Sequence, residues 1–272
     1  MQTPPCPLAL ARALELTAPG FIITVYGDVV VPRGGVLWMG SLLEICARVG
    51  FGENQVRTAV SRLVASGRLG GERQGRRSFY RLADAARAEF GRATALLYAA
   101  APPPQGWLLL ALDEVPDDLR RAHHLAPVGG ACWLAPDRGA LPPGARVVMR
   151  VRDDRDVPGI AAFWDLDAVA ARYDRMIAWL GPVAAGDPAP GDALTLRLLL
   201  VHAYRAAVLR DPFLPPALLP GDWSGARARA LFRDLYLRLT PDAEAGIAQL
   251  QDATGPLPTR TPDSMGRIAL LR

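Results

Sequence analysis

Lysine is absent from this 272-residue chain; all 31 basic residues are arginine, a choice from which no function follows. Cysteine is scarce. Cys6, Cys46 and Cys132 are odd in number and far apart, so no paired spacing could clamp a metal or close a redox dithiol, and reduced thiols are expected. No uninterrupted apolar run approaches the roughly 18 residues that a membrane-crossing helix needs. The best stretch, 20–31, is shorter and contains Asp28. Pro4, Pro5 and Pro7 occupy the place of a secretion signal's apolar core, and no small-residue cleavage site follows. A cytoplasmic protein is expected. Also missing are a Ser, His and Asp set in a nucleophile elbow and a phosphate-cradling glycine motif, which disfavours a hydrolase. His123-His124 point about 100° apart on a helix, and no acid or cysteine completes a site. The expectation is therefore no enzyme, no catalytic residue, no metal and no cofactor.

What is present is unevenly distributed. Residues 1–100 hold 12 Arg against 7 acids, whereas 101–272 hold 19 Arg against 20 acids. The whole basic excess lies in the first third, as a polyanionic partner would require. The length exceeds one ordinary core, and punctuation suggests three domains: 1–99, 106–181 and 191–255. A stiff linker at 101–106 (APPPQG) makes the first boundary, and 181–192 (GPVAAGDPAPGD) the second. In the middle segment, 107–112 (WLLLAL), 131–134 and 146–152 (RVVMRVR) read as strands, 116–125 as a short helix and 167–180 as a longer one. The fold class is α+β. Helices are expected over 194–209 and 226–239. Beyond Gly255, Pro256, Pro258 and Pro262 suggest a mobile tail.

The strongest local signal runs from Trp38 to Leu82. Leu42, Cys46 and Val49 share a helical face, and Gly50 and Gly52 make a turn around Phe51. From Glu53, the residues Val56, Ala59, Val60, Leu63 and Val64 form one apolar stripe. The opposite face carries Gln55, Arg57, Thr58, Ser61 and Arg62, side chains able to bond base edges or phosphates, and Gly67 stops the helix. Residues 68–82 (RLGGERQGRRSFYRL) then read as a hairpin with Arg73, Gln74 and Arg76 at its tip and Arg77 and Arg81 behind, opposed by Glu72 alone. Crowded like charges repel, but beside a phosphate backbone they are favourable. Helix, glycine turn, helix, stop and basic wing give a winged helix-turn-helix. Gln55, Thr58, Ser61 and Arg62 are expected to read bases, and Arg57, Arg73, Arg76 and Arg77 to meet phosphates.

Residues 24–35 (TVYGDVVVPRGG), 56–63 (VRTAVSRL), Arg68-Leu69 and 75–82 (GRRSFYRL) resemble the N-terminal domain of PaaX-type repressors, regulators of phenylacetate degradation. Residues 199–212 (LLVHAYRAAVLRDP), Leu214-Pro215, Leu219-Pro220, Asp222-Trp223 and 228–236 (ARALFRDLY) resemble that family's C-terminal helical domain. The resemblance implies a homodimeric repressor on an inverted-repeat double-stranded DNA operator, released by an aryl-CoA thioester such as phenylacetyl-CoA. It implies that 20–31, whose β-branched content suggests a strand, is the first helix of the DNA-binding domain. It implies a central ferredoxin-like domain similar to the small CRISPR-associated endonucleases, which raises an alternative: Asp113 stands where those nucleases carry a metal-binding carboxylate. It also singles out His202, Tyr204, Arg205, Arg210 and Trp223. These either reach the phosphates and rings of a CoA thioester or build the helical core and dimer contact.

Overall fold

The computed structural model describes residues 5–151 and 159–272, so the final residue of the expected strand 146–152 lies outside the described residues. The chain is α+β and divides into two compact units, Met1–Ala99 with Arg175–Arg205 and Arg227–Arg272, and Ala100–Asp174 with Ala206–Ala226. Among the described residues no helix is long and apolar enough to cross a membrane.

In the first unit, α1 (Pro7–Ala13) precedes α2 (Ala18–Val25), which continues through a π-turn at Tyr26–Val30 and a 3-10 turn at Val31–Arg33. The helix that the family resemblance implied for 20–31 is therefore present. The β-branched content misleads because Phe21, Ile22, Val25, Tyr26, Val29 and Val30 are all fully buried, so tertiary burial overrides local preference. Thr17 caps the start by accepting from the Gly20 N–H at 3.3 Å. Strand β1 (Val36–Trp38) leads into α3 (Met39–Ala47), and α4 (Glu53–Ala65) follows. The turn between these helices uses Gly50 at φ 90°. Strands β2 (Leu69–Gln74) and β3 (Arg77–Leu82) form an antiparallel hairpin around Gly75-Arg76, and β1 pairs with the other edge of β3. Helix α5 (Arg87–Tyr98) ends the segment.

In the second unit, β4 (Trp107–Ala111), α6 (Asp117–Ala122), β5 (Ala126–Gly129), β6 (Cys132–Pro136) and β7 (Val147–Val151) build an antiparallel sheet of order β5-β6-β4-β7. The sequence pattern misses β5, because Pro127 and Gly129 disguise it. Helix α7 (Leu166–Ala185) runs past the expected end at 180, through Gly181-Pro182. Two forces hold that last turn: Val183 is fully buried, and Arg238 donates to the Val183 and Ala184 carbonyls at 2.6 and 2.8 Å. Most of the next two helices belongs to the first unit; helix α8 spans Ala193–Val208. Helix α9 (Gly225–Ile247) likewise continues beyond 239 through Pro241, burying Ala243 and Ile247.

The tail is a second correction: residues 262–271 form α10 (Pro262–Leu271). Pro262 starts this helix rather than breaking one, since the first turn needs no N–H from it. Thr261 caps it, and the Thr261 hydroxyl also donates to the Pro32 carbonyl at 2.5 Å. Arg267 donates to the Gly27 carbonyl at 2.6 Å.

One buried polar network ties these helices together. Asp28 Oδ1 accepts from the Tyr98 and Tyr236 hydroxyls, each at 2.8 Å, and Oδ2 accepts from Arg197 Nε at 3.1 Å. Glu244 Oε1 takes Arg33 Nη2 at 2.6 Å and Arg197 Nη1 at 3.3 Å. Burial alone would raise the Asp28 carboxyl. Arg197, then Arg267, the Tyr98 hydroxyl and Arg33 reverse that and hold it below its ordinary value.

Candidate nucleic-acid interface

The apolar stripe of α4 packs inward through Val56, Ala59, Val60 and Leu63, and this aims the polar face outward. Gln55, Arg57, Thr58, Ser61 and Arg62 are all exposed. Val64, assigned to the stripe from its spacing, is instead 38% exposed, because it lies at the rim of the stripe near the helix end. Gln55 is partly committed at the helix start, its Oε1 accepting from the Gly52 N–H at 3.3 Å. Among the described residues, Thr58, Ser61 and Arg62 make no side-chain hydrogen bond, so their donors are free for a partner.

The hairpin closes on this face. A concavity of about 410 Å³ is lined by Arg57, Ser61 and Val64 from α4, by Gly71, Glu72, Arg73, Ser78 and Tyr80 from the hairpin, and by Met39. The sequence pattern did not point to Val64, Met39 or Tyr80; the last could be read only from its register opposite Gly71, where a Cβ would come within 2.9 Å of the tyrosine ring. At the tip Arg73 Nε donates to the Gly75 carbonyl at 3.1 Å, and Gln74 donates to Glu72 at 3.2 Å. Arg76 is exposed, and the Arg77 guanidinium lies 5.1 Å from the centre of the Trp38 ring. The polar face of α4, through Arg57 and Ser61, and a predominantly cationic hairpin thus border one hollow, an arrangement that suits a groove flanked by phosphates.

Arg57 is not free: Glu53, one turn earlier, holds it at 2.7 Å. An exposed pair of this kind is weak, and a phosphate must displace the carboxylate to gain the arginine. Glu53→Gln is therefore expected to tighten duplex binding about two- to fivefold at low salt, as measured by titration of labelled DNA. Unchanged or weaker binding would remove Arg57 from the contact set.

The five residues singled out as ligand candidates divide between the units. In the first, Tyr204 is buried and stacks on Phe232 with ring centres 4.3 Å apart, and Arg205 donates to the Gly20 carbonyl at 3.3 Å. His202 Nδ1 lies 3.0 Å from Thr24 Oγ1. In the second, Arg210 is exposed and donates to the Ala206 carbonyl at 3.0 Å; Trp223 meets Tyr173 edge-on at 6.0 Å. Asp113 is engaged by Arg146 at 2.6 Å, and among the described residues no group of three or more His, Cys, Asp or Glu could hold a metal ion.

The His202 environment makes stability depend on pH. Burial, reinforced by the Arg205 cation, lowers its pKa from 6.5 to about 4. Below pH 6.5 the unfolded chain takes up a proton that the folded chain refuses until about pH 4, so stability is lost as pH falls through that window. Between about pH 7 and about pH 4.5 the thermal midpoint of the native protein is expected to fall more steeply than that of His202→Gln, whose amide does not titrate. Parallel profiles would show that His202 is not the source.

Comparison with known proteins places these elements in context. The family described as PaaX-like protein matches residues 17–86, which hold α2 to the hairpin, and the family described as PaaX-like protein C-terminal domain matches residues 164–249. The chain is 33% identical to the transcriptional repressor PaaX of Escherichia coli (strain K12), over 91% of this chain and 88% of that protein. Among solved structures it is similar to an uncharacterized protein from Mycobacterium tuberculosis, at 24% identity and a TM-score of 0.49, covering 84% of this chain and 98% of that one.

Proposed function

The chain belongs to the PaaX-like family, and from that premise we propose that it is a transcriptional repressor binding double-stranded DNA through a winged helix-turn-helix made of α3, α4 and the β2–β3 hairpin. The observation that carries this reading is the hollow in which the exposed polar face of α4 meets the arginine-bearing hairpin, with Arg57, Ser61 and Arg73 on its walls. In this reading α4 enters the major groove, Gln55, Thr58, Ser61 and Arg62 read bases, and Arg57, Arg73, Gln74, Arg76 and Arg77 fix the backbone.

The protein acts as a homodimer on an inverted repeat, its two copies of α4 about 34–36 Å apart in successive major grooves. The sheet order β5-β6-β4-β7, with α6 crossing between β4 and β5, supports reading the second unit's sheet as ferredoxin-like. An aryl-CoA thioester such as phenylacetyl-CoA releases the operator by binding the DNA-free conformation more tightly, since a ligand of equal affinity for both states shifts nothing. No observation favours the alternative of a metal-dependent nuclease at Asp113, whose carboxylate is paired with Arg146.

A gel-shift experiment on the protein and its own promoter tests both halves. Retardation that is reversed by aryl-CoA thioesters is the expected result. Retardation that no acyl-CoA reverses would leave the DNA-binding half standing and remove the effector; no retardation would remove the whole reading.

A further inference from the structure

Trp38 is held more firmly than a half-buried tryptophan at a strand end requires. On one side lies Gly40: a Cβ there would fall 2.3–2.5 Å from ring atoms Cη2, Cζ3 and Cζ2, so only glycine leaves room for the indole where it stands. From another side, the loop after α9 clasps the strand. The Trp38 N–H donates to the Gln251 carbonyl at 2.8 Å, and the Gln251 N–H donates to Ser41 Oγ at 2.9 Å. Asp252 stiffens that loop, its Oδ1 accepting from the Thr254 and Gly255 N–H groups at 2.6 and 3.0 Å. The indole meets the guanidinium of Arg77, whose carbon is 5.1 Å from the ring centre. Trp38 pairs with Phe79 in the sheet, so Arg77 stands diagonally across from it on the neighbouring strand, within reach of a long side chain. Among the described residues Arg77 has no carboxylate partner.

We propose that Trp38, seated on Gly40 and clasped by Gln251, is a positioning residue for DNA binding: it holds Arg77 at the base of the hairpin tip with the guanidinium edge presented to a phosphate. A guanidinium that stacks through its face keeps its N–H edge free, and an arginine already ordered loses less freedom when it docks. The inference rests on the hairpin being a DNA contact, and it adds that the chain beyond α9 helps to set the affinity.

A double-mutant cycle tests it, with duplex binding measured over a range of salt concentrations. Arg77→Ala is expected to weaken binding and to lower the salt slope by about one. Trp38→Leu is expected to weaken binding about fivefold in the native background and to have no further effect in the Arg77→Ala background. Gly40→Ala, which leaves the indole in the chain but displaces it, should show the same pattern, while Trp38→Phe should retain most of the affinity. Equal weakening by Trp38→Leu in both backgrounds would show a general structural role and overturn the proposal. An Arg77→Ala variant that binds normally while Arg73→Ala and Arg76→Ala lose affinity would also overturn it, leaving the hairpin contact intact. If none of the hairpin variants binds differently, the hairpin reading itself falls.

Discussion

Asp28→Ala is expected to lower stability by about 3–5 kcal/mol, the usual cost of removing one partner from a buried charge pair, and the thermal midpoint by on the order of 10 °C. The carboxylate is fully buried and accepts from two tyrosines and Arg197. Deleting it strands the Arg197 cation, itself only 1% exposed, with Glu244 as its remaining acid at 3.3 Å. It also leaves two buried hydroxyls without their acceptor, each worth roughly 1–3 kcal/mol if nothing replaces it. A companion Arg197→Met change should restore part of the loss, because a buried pair replaced by apolar groups is often close to neutral. Thermal unfolding followed by circular dichroism gives the number. A loss under about 1 kcal/mol would show that water reaches the network and that it does not hold the unit together.

The same network bears on dissection of the chain. Arg197, Tyr236, Glu244 and Arg267 all come from beyond residue 174, yet they surround Asp28 and its turn. A fragment ending at Ala99 would keep the acid and lose two of the arginines that hold its charge. Such a fragment is expected to be unfolded, whatever its affinity for polyanions.

Arg62→Ala is expected to cost about 1–3 kcal/mol of discrimination at one base position, the value of a bidentate contact in the major groove. Arg62 is exposed near the end of α4 and, among the described residues, has no carboxylate partner, so the whole guanidinium is available. Arg76→Ala should behave differently. A phosphate contact carries no sequence information, so every duplex should be weakened alike and the salt slope should fall by about one. Binding to a panel of operator variants distinguishes the two. An Arg62→Ala protein with unaltered sequence preference would place that residue on the backbone or off the DNA.

How much of this could be read from the sequence depends on how local the determining forces are. Helix α4 was legible because one side is apolar, the other polar, and glycine stands at both ends. The hairpin was legible because two short strand-like runs flank the arginine-rich turn at Gly75. Helix α2 was not legible from its residues, since a segment buried on all sides shows no amphipathic period, and only family resemblance identified it. The continuation of α7 and α9 through Pro182 and Pro241 escaped notice because a proline stops a helix only when nothing else holds the next turn; here Val183, Ala243 and Ile247 are fully buried. The Asp28 network joins residues as much as 239 positions apart, which no spacing rule anticipates. The Trp38 contact to Arg77 follows from strand register, visible only once β1 is seen to pair with β3.

The central claim is that the face of α4 and the hairpin read a particular duplex. Its most direct test is the affinity of the purified protein for its own promoter fragment against a scrambled duplex of equal length at the same physiological salt. Binding tighter for the promoter by at least about a thousandfold, and lost for both duplexes when Arg57, Arg62, Arg73 and Arg76 are all replaced by alanine, is the expected result. Equal affinity for the two duplexes, or specific binding that survives the fourfold replacement, would contradict it.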